Sequence, residues 1–327
     1  MHFALSGAAL ELRGGLRDLL AGACPPSTVR AAWPGGDDGA VQSLWRALGD
    51  FGLPAVLVPE TDGGLGLDDV VTVAALEEAG RAGVPGPLVE TSAVAAPLLA
   101  AAGALPKGVL DGAVRIAVQR REVVPYAQRA DAFLQLDESG ARLLARADAD
   151  VTAVDTVDGA RAAGRVAGVG APVDVDPSQV RKAIHRGALG TAAFLVGLSH
   201  RMLAMTVEYV KSRTQFGVPV GSFQAVQHPL ADALVGVEFA SPAVLRAAQS
   251  MVDDEPDTAL HVALAKTLAS DAAERTARTC IQAHGAMGYT VEYDLHLFAK
   301  RAWALAADWG SASEHRADVA RTLLEAR

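Results

Sequence analysis

The chain has 327 residues, half of them hydrophobic, which is enough for two or three domains with sizeable cores and excludes wholesale disorder. Its formal charge of −9 excludes the basic footprint that a nucleic-acid partner or an anionic membrane surface requires. Only 5% of the residues are aromatic, and much of the apolar content is Ala and Leu, so mostly helical structure is expected.

Cys24 and Cys280 lie far apart and form no CxxC, zinc spacing or disulfide framework, so the expected setting is a reducing cytoplasm. The N-terminal segment lacks a cationic start and a continuous apolar core. Charged residues interrupt the longer apolar stretches, so neither a signal peptide nor a membrane span is expected.

Leu44, Trp45, Leu48 and Phe51 recur at helical spacing, and Gly52 closes that helix. Leu53 and Pro54 open an apolar stretch that ends at Pro59 and Glu60, and residues 61–64 form a turn. Asp68 is placed as the N-cap of a helix carrying Val70, Val71, Val73, Leu76 and Ala79. An Ala-rich segment follows over residues 92–102, where Pro97 starts or kinks a helix. Together these elements make an N-terminal helical domain, residues 1–108. From Val109 the texture changes. Short apolar runs at residues 114–118, 132–136, 142–145 and 151–154 alternate with turns, which predicts strands and hairpins. The pattern runs out in a Gly/Ala/Val/Pro-rich stretch, giving a small β domain at residues 109–177. Within it, Gly168-Val169-Gly170 matches part of a phosphate-binding glycine motif, but no strand–helix–strand context surrounds it. Helical periodicity returns over residues 179–212, 224–252, 257–286 and 312–326, with breaks marked by Pro219 and Pro256. These form a C-terminal helical bundle, residues 178–327.

Two segments carry chemistry. In the first, a helix ends in a basic, glycine-containing turn, Arg213-Thr214-Gln215-Phe216-Gly217, and a second helix begins around Phe223 and Gln224. A guanidinium at such a place presents a fork to a phosphate, and the glutamines add neutral donors. A capped interhelical turn with a solvated Arg213 accounts for the same residues. The second is Gln282-Ala283-His284-Gly285-Ala286-Met287-Gly288-Tyr289, where small residues end a helix and expose amides suited to a pyrophosphate. A plain helix C-cap is again the simple alternative. His185, His200, His228, His261, His296 and His315 show no metal-ligand spacing.

Taken together, the two segments resemble the acyl-CoA dehydrogenase family. The likeness extends to Trp45, Gly52, Val58-Pro59-Glu60, Gly63-Gly64, Gly66 and Glu77-Glu78-Ala79-Gly80-Arg81. It implies a mostly α fold with a small β unit: an N-terminal helical domain, a reduced central β-barrel and a C-terminal four-helix bundle. It also implies FAD as cofactor and α,β-desaturation of an acyl-CoA thioester. In such a reaction a carboxylate base removes a proton from a carbon acid whose thioester oxygen is hydrogen-bonded. By the same resemblance, Arg213, Gln215, Phe216 and Gln224 would meet the FAD pyrophosphate and adenosine half. Gln282, His284, Gly285 and Gly288 would approach FAD across a subunit interface, in a dimer or tetramer.

The chain departs from the family pattern in three ways. The triplet matching the family's catalytic Glu-Gly-Thr is Trp309-Gly310-Ser311, and an indole is no proton acceptor. The alternative base position of some members falls near Gly187 and Ala188, also without a carboxylate; Asp308 is the candidate substitute. The flavin-ring segments usual in the barrel do not occur between Val109 and Pro177. Finally, the β unit is short for the full strand set. The pattern resembles the shorter subunit of α2β2 bacterial members, such as those of steroid catabolism, whose longer partner would carry the intact Glu base. Two further expectations stand beside it: a self-sufficient enzyme using Asp308, and a structural derivative without FAD.

Overall fold

The computed structural model describes residues 5–325. Its contacts divide the chain into two compact units.

The first unit runs through Ala75 and from Val84 to Gly190. It opens with α1 (Gly7–Ala23), α2 (Pro26–Ala31) and α3 (Asp38–Asp50). Trp45 on α3 is buried, and its indole N–H donates to the Pro85 carbonyl at 2.9 Å. Gly52 caps the end of α3 at φ +85°, as its place in the sequence predicts. Val56 and Val58 bury in the stretch that follows. α4 (Asp69–Ala82) begins where expected: the Asp68 carboxylate accepts the Val71 N–H at 2.9 Å.

The Ala-rich segment splits in two. Val89–Ala95 winds as a wide π-type turn, and α5 (Ala96–Ala101) continues as α-helix with Pro97 in its first turn. Proline has no N–H for the ordinary ladder, so the segment changes its winding there. The Thr91 hydroxyl then bridges the N–H and C=O of Ile116, both at 3.1 Å, and so ties this helical segment to the sheet region.

That region holds seven strands: β1 (Ile116–Gln119), β2 (Val123–Val124), β3 (Ala132–Asp137), β4 (Gly140–Ala145), β5 (Asp150–Ala153), β6 (Gly164–Ala167) and β7 (Ala171–Val173). They form one sheet of order β1-β3-β4-β7 and another of order β2-β6-β5. β1 and β3 are parallel; the other pairs are antiparallel. Phe133, Leu144, Val124 and Val166 share one core cluster. β6 and β7 fall in the Gly/Pro-rich stretch where the apolar pattern gives out. Pro172 is tolerated because β7 is an edge strand. Gly168 and Gly170 make the bend between β6 and β7, so they serve the sheet and not a phosphate.

α6 (Pro177–Ser212) starts in the first unit. There Arg186 holds buried Asp69 through two bonds of 2.8 and 3.1 Å. Beside it lie Gly187 and buried Ala188. Among the described helices α6 is long and apolar enough to cross a membrane, yet 78% of its most apolar stretch is buried, as befits a core helix.

The second unit comprises Leu76–Gly83 and the chain from Thr191 onward. Here α4 and α6 cross closely: a Cβ on Gly80 would lie 2.2 Å from the Phe194 carbonyl oxygen, and one on Gly197 would lie 2.0 Å from that of Glu77. Arg81 on this stretch pairs with Glu77 at 3.1 Å and Glu78 at 3.7 Å. A short hairpin of β8 (Thr214–Gln215) and β9 (Val218–Pro219) joins α6 to α7 (Gln224–Val252). α8 (Thr258–His284) is the central helix and packs on α7, α9 (Leu295–Ala306) and α10 (Ala312–Glu325).

Candidate cofactor-binding site

The site grows from two chain turns of the second unit. At the first, α6 ends and the Arg213 N–H donates to the Tyr209 carbonyl at 2.9 Å. The hairpin then reverses over Phe216 and Gly217, both with positive φ (+54° and +82°). A two-residue hairpin turn of this hand needs that conformation at both central positions, which Gly217 accepts and Phe216 bears as strain. The Val220 N–H returns to the Arg213 carbonyl at 2.8 Å. Phe216 projects at the tip, 94% exposed, with its ring edge-on to Phe223 at 6.3 Å.

At the second turn, α8 stops at His284 because Gly285 adopts φ +58°, and residues 285–289 continue as a tight 3-10 turn. Gly288 is packed against the end of the helix: a Cβ there would lie 2.7 Å from the Ile281 carbonyl oxygen. Gly285 has open space where a side chain would begin.

Between these turns lies a cleft of about 700 Å³ lined by Arg213, Gln215, Arg278, Gln282, His284 and Gly285, with Val226 and Met287 among its apolar walls. Five residues singled out in the sequence therefore meet at one cleft. Gln224, Phe216 and Gly288 lie outside its lining: Gln224 opens α7 beside it, Phe216 stands on the projecting arm, and Gly288 supports the turn from behind. Arg278 was not anticipated. It lies one helical turn before Gln282, so the i, i+4 spacing was the available signal. It is exposed and pairs with Glu274 at 2.9 Å. Tyr209 is a second addition, four residues before Arg213 on the same helix face.

His284 is on the lining of the cleft but is turned largely inward. Its side chain is buried, with Nδ1 2.8 Å from the Cys280 carbonyl oxygen. The ring stacks on Tyr209 at 4.2 Å and meets Tyr293 at 4.8 Å. Burial holds its pKa below the ordinary histidine value.

The triplet at residues 309–311 keeps a distinctive backbone. Trp309 and Gly310 both take positive φ, +54° and +100°. Ser311 begins α10 with a reciprocal capping box: its N–H donates to Glu314 at 2.7 Å, and the Glu314 N–H donates to its hydroxyl at 3.3 Å. The Trp309 carbonyl accepts from His315 Nε2 at 3.0 Å. Trp309 is 7% exposed. Asp308 is half-buried, and its carboxylate accepts the Trp309 N–H at 3.1 Å. Beneath the turn, fully buried Lys266 donates to Ser270 Oγ (2.9 Å) and to the carbonyls of Ala306 (3.0 Å), Gly310 (3.0 Å) and Leu305 (3.3 Å). Burial draws its pKa down to about 8, so it stays an ammonium at neutral pH. No cluster of metal-ligating side chains occurs among the described residues.

Residues 8–104 match the family model for the acyl-CoA dehydrogenase N-terminal domain, and residues 178–324 match that for the C-terminal domain. The chain is 35% identical over 297 residues to acyl-CoA dehydrogenase IpdE2 of Mycobacterium tuberculosis, covering 89% of each chain. In structure it is similar to a chain of the ChsE4-ChsE5 complex from Mycobacterium tuberculosis, with a TM-score of 0.85, 27% identity and 99% of each chain covered. It is also similar to a Tcur3481-Tcur3483 steroid ACAD variant, with a TM-score of 0.83, 25% identity and 98% of each chain covered. FAD is the cofactor of this family. The chemistry of the cleft lining fits its pyrophosphate and adenosine half: the Arg213 and Arg278 guanidinium groups and the Gln215 and Gln282 amides line the cleft, and Gly285 has open space where a side chain would begin.

Proposed function

Because the chain belongs to the acyl-CoA dehydrogenase family, we propose that it is the half-site subunit of a heteromeric FAD enzyme that desaturates an acyl-CoA thioester. The observation that carries this reading is Trp309. The turn that would hold the base has a Trp-Gly backbone at positive φ, a capped helix after it and an indole in place of the carboxylate. Nothing on an indole accepts a proton at neutral pH. Asp308 directs its carboxylate to the N–H of the next residue, within its own turn.

In this reading Arg213 and Arg278 would neutralise the pyrophosphate, and Gln215 and Gln282 would donate to its oxygens. Gly285 would let the main chain approach, Phe216 would cover the adenosine half, and Gln224 and Gly288 would set the two turns around it. FAD, when bound, supplies the acceptor for the hydride that leaves the β-carbon. In this reading a carboxylate of a longer partner subunit with an intact Glu would take the α-proton. The family likeness to proteins solved as two-component complexes supports such a partner, and the steroid enzyme among them supports a steroid-CoA or other branched acyl-CoA as substrate. A cytoplasmic setting agrees with two buried cysteines that form no disulfide.

Co-expression with longer family members tests this reading. The expected result is a stable complex that carries flavin and turns over acyl-CoA, while the chain alone does neither. Full flavin occupancy and turnover by the chain alone would overturn it in favour of a self-sufficient enzyme. A colourless, inactive complex would favour a structural derivative.

A further inference from the structure

We infer that His284 is a positioning residue that holds the two walls of the cofactor cleft together, and that it does so only as a neutral imidazole. The inference rests on the cofactor reading above. One wall is the Arg213 hairpin, which hangs on Tyr209 through the bond from the Arg213 N–H to the Tyr209 carbonyl. The other is the end of α8, from Gln282 to Gly285. His284 joins them. Its ring lies 4.2 Å from the Tyr209 ring at an interplanar angle of 20°, and the Tyr209 hydroxyl donates to the His284 carbonyl at 3.4 Å. Tyr293, whose hydroxyl donates to the Met205 carbonyl at 3.2 Å, closes the other side of the imidazole at 4.8 Å.

The hydrogen bonds define the tautomer. The Cys280 carbonyl can only accept, so Nδ1 carries the proton at 2.8 Å. Nε2 is then a bare acceptor, buried and without a hydrogen-bond partner among the described residues. Protonation would place a second N–H, and a charge, where no acceptor receives it.

Among the described residues, burial and the Cys280 carbonyl act on His284, and no carboxylate does. Around the ring and its neighbours stand Tyr209 of α6, Cys280 of α8 and Tyr293 before α9. Burial pushes the Cys280 thiol up to about 11 and raises Tyr293, so neither is an anion in the acid range. Arg213 and Arg278 line the same cleft, and Arg201 and Asp294 act on Tyr293 in opposite directions. Burial itself holds His284 below the ordinary value of 6.5. A group lowered in this way contributes fully above about pH 6.5, and its contribution is lost as pH falls through the lowered value. The cleft should therefore loosen in acid.

The test uses the co-expressed complex, with FAD affinity measured by fluorescence from pH 7.5 to 5.0. Hydrogen–deuterium exchange at the His284 imidazole carbon, read by mass spectrometry, gives its ionisation directly. Wild type should lose roughly tenfold in affinity across this range and show an ionisation below 6.5. His284→Phe keeps a stacking ring but loses the Cys280 bond and the titration, so it should bind about fivefold more weakly at pH 7.5 with a flatter profile. His284→Asn, which keeps a donor for Cys280, should recover part of that loss. The inference falls if His284→Phe follows the wild-type pH profile, if affinity strengthens on acidification, or if His284 ionises at 6.5 or above. Absence of FAD binding by the wild-type complex at every pH would instead overturn the cofactor reading, and this inference with it.

Discussion

At the residue scale, Lys266 shows how a single buried cation organises a turn. It lies inside α8 with its whole side chain enclosed, and its ammonium satisfies three carbonyls at and beyond the end of α9, where the helix dipole is negative. Lys266→Met fills similar space but strands those carbonyls. The expected cost is about 3 kcal/mol, seen as a fall of several degrees in melting temperature. A variant as stable as wild type would show that water replaces the ammonium. Nothing about Lys266 in the sequence marks it as buried, because lysine is ordinarily exposed and only the convergence of α8, α9 and the 308–310 turn encloses it. His284 was legible as a site residue, but its role was not. The motif put it at the cleft, whereas the Tyr209 and Tyr293 rings that bury it come from other parts of the chain.

At the scale of elements, close approach decides what glycine does. Gly197 and Gly80 let α6 and α4 cross with backbone against backbone. Gly197→Ala would drive a methyl to within 2.0 Å of the Glu77 carbonyl oxygen, so the helices must part. About 3 kcal/mol of stability should be lost, measurable by thermal or denaturant unfolding. Gly288→Ala acts on function instead: its methyl would push the 285–289 turn off the end of α8, and FAD affinity of the complex should fall with little change in overall melting. An equal loss of affinity and melting temperature would mark Gly288 as a fold residue only. The long helices were readable from periodicity, and α6, α7, α8 and α10 lie within a few residues of the expected spans. α9 went unrecognised although Leu295, Phe298, Ala302 and Leu305 carry its spacing, because the glycine-rich turn before it reads as a loop continuing onward. β6 and β7 were missed for a different reason. Strands rich in Gly and Pro are stabilised by their partners β2, β5 and β4, and not by their own propensity.

At the scale of the whole molecule, the proposed half-site reading would separate cofactor binding from proton abstraction. Arg213, Gln215, Gln282, His284 and Gly285 line one cleft, while the 309–311 turn carries Trp309 and Gly310 at positive φ and no carboxylate of its own. If the partner supplies the base, Asp308→Asn should leave turnover of the complex within about twofold of wild type. Loss of turnover by a thousandfold or more, with FAD still bound, would return Asp308 to the role of base. If the proposed partner and a shared cofactor bind only the folded state, assembly should also stabilise the chain.

By itself the sequence determined the local order: which stretches wind as helices, where Asp68, Gly52 and Gly285 start and stop them, and that Arg213 and Gln282 stand at the turns where α6 and α8 end. Such features depend on neighbours within a few residues, so a linear reading recovers them. The tertiary structure alone decided which of those residues share a cleft, that Arg278 joins them, that His284 turns inward between two tyrosines, and that Lys266 lies beneath the Trp309 turn. Those outcomes depend on contacts between segments far apart in the chain. Burial, which sets the charge state of His284 and Lys266, exists only once those segments pack.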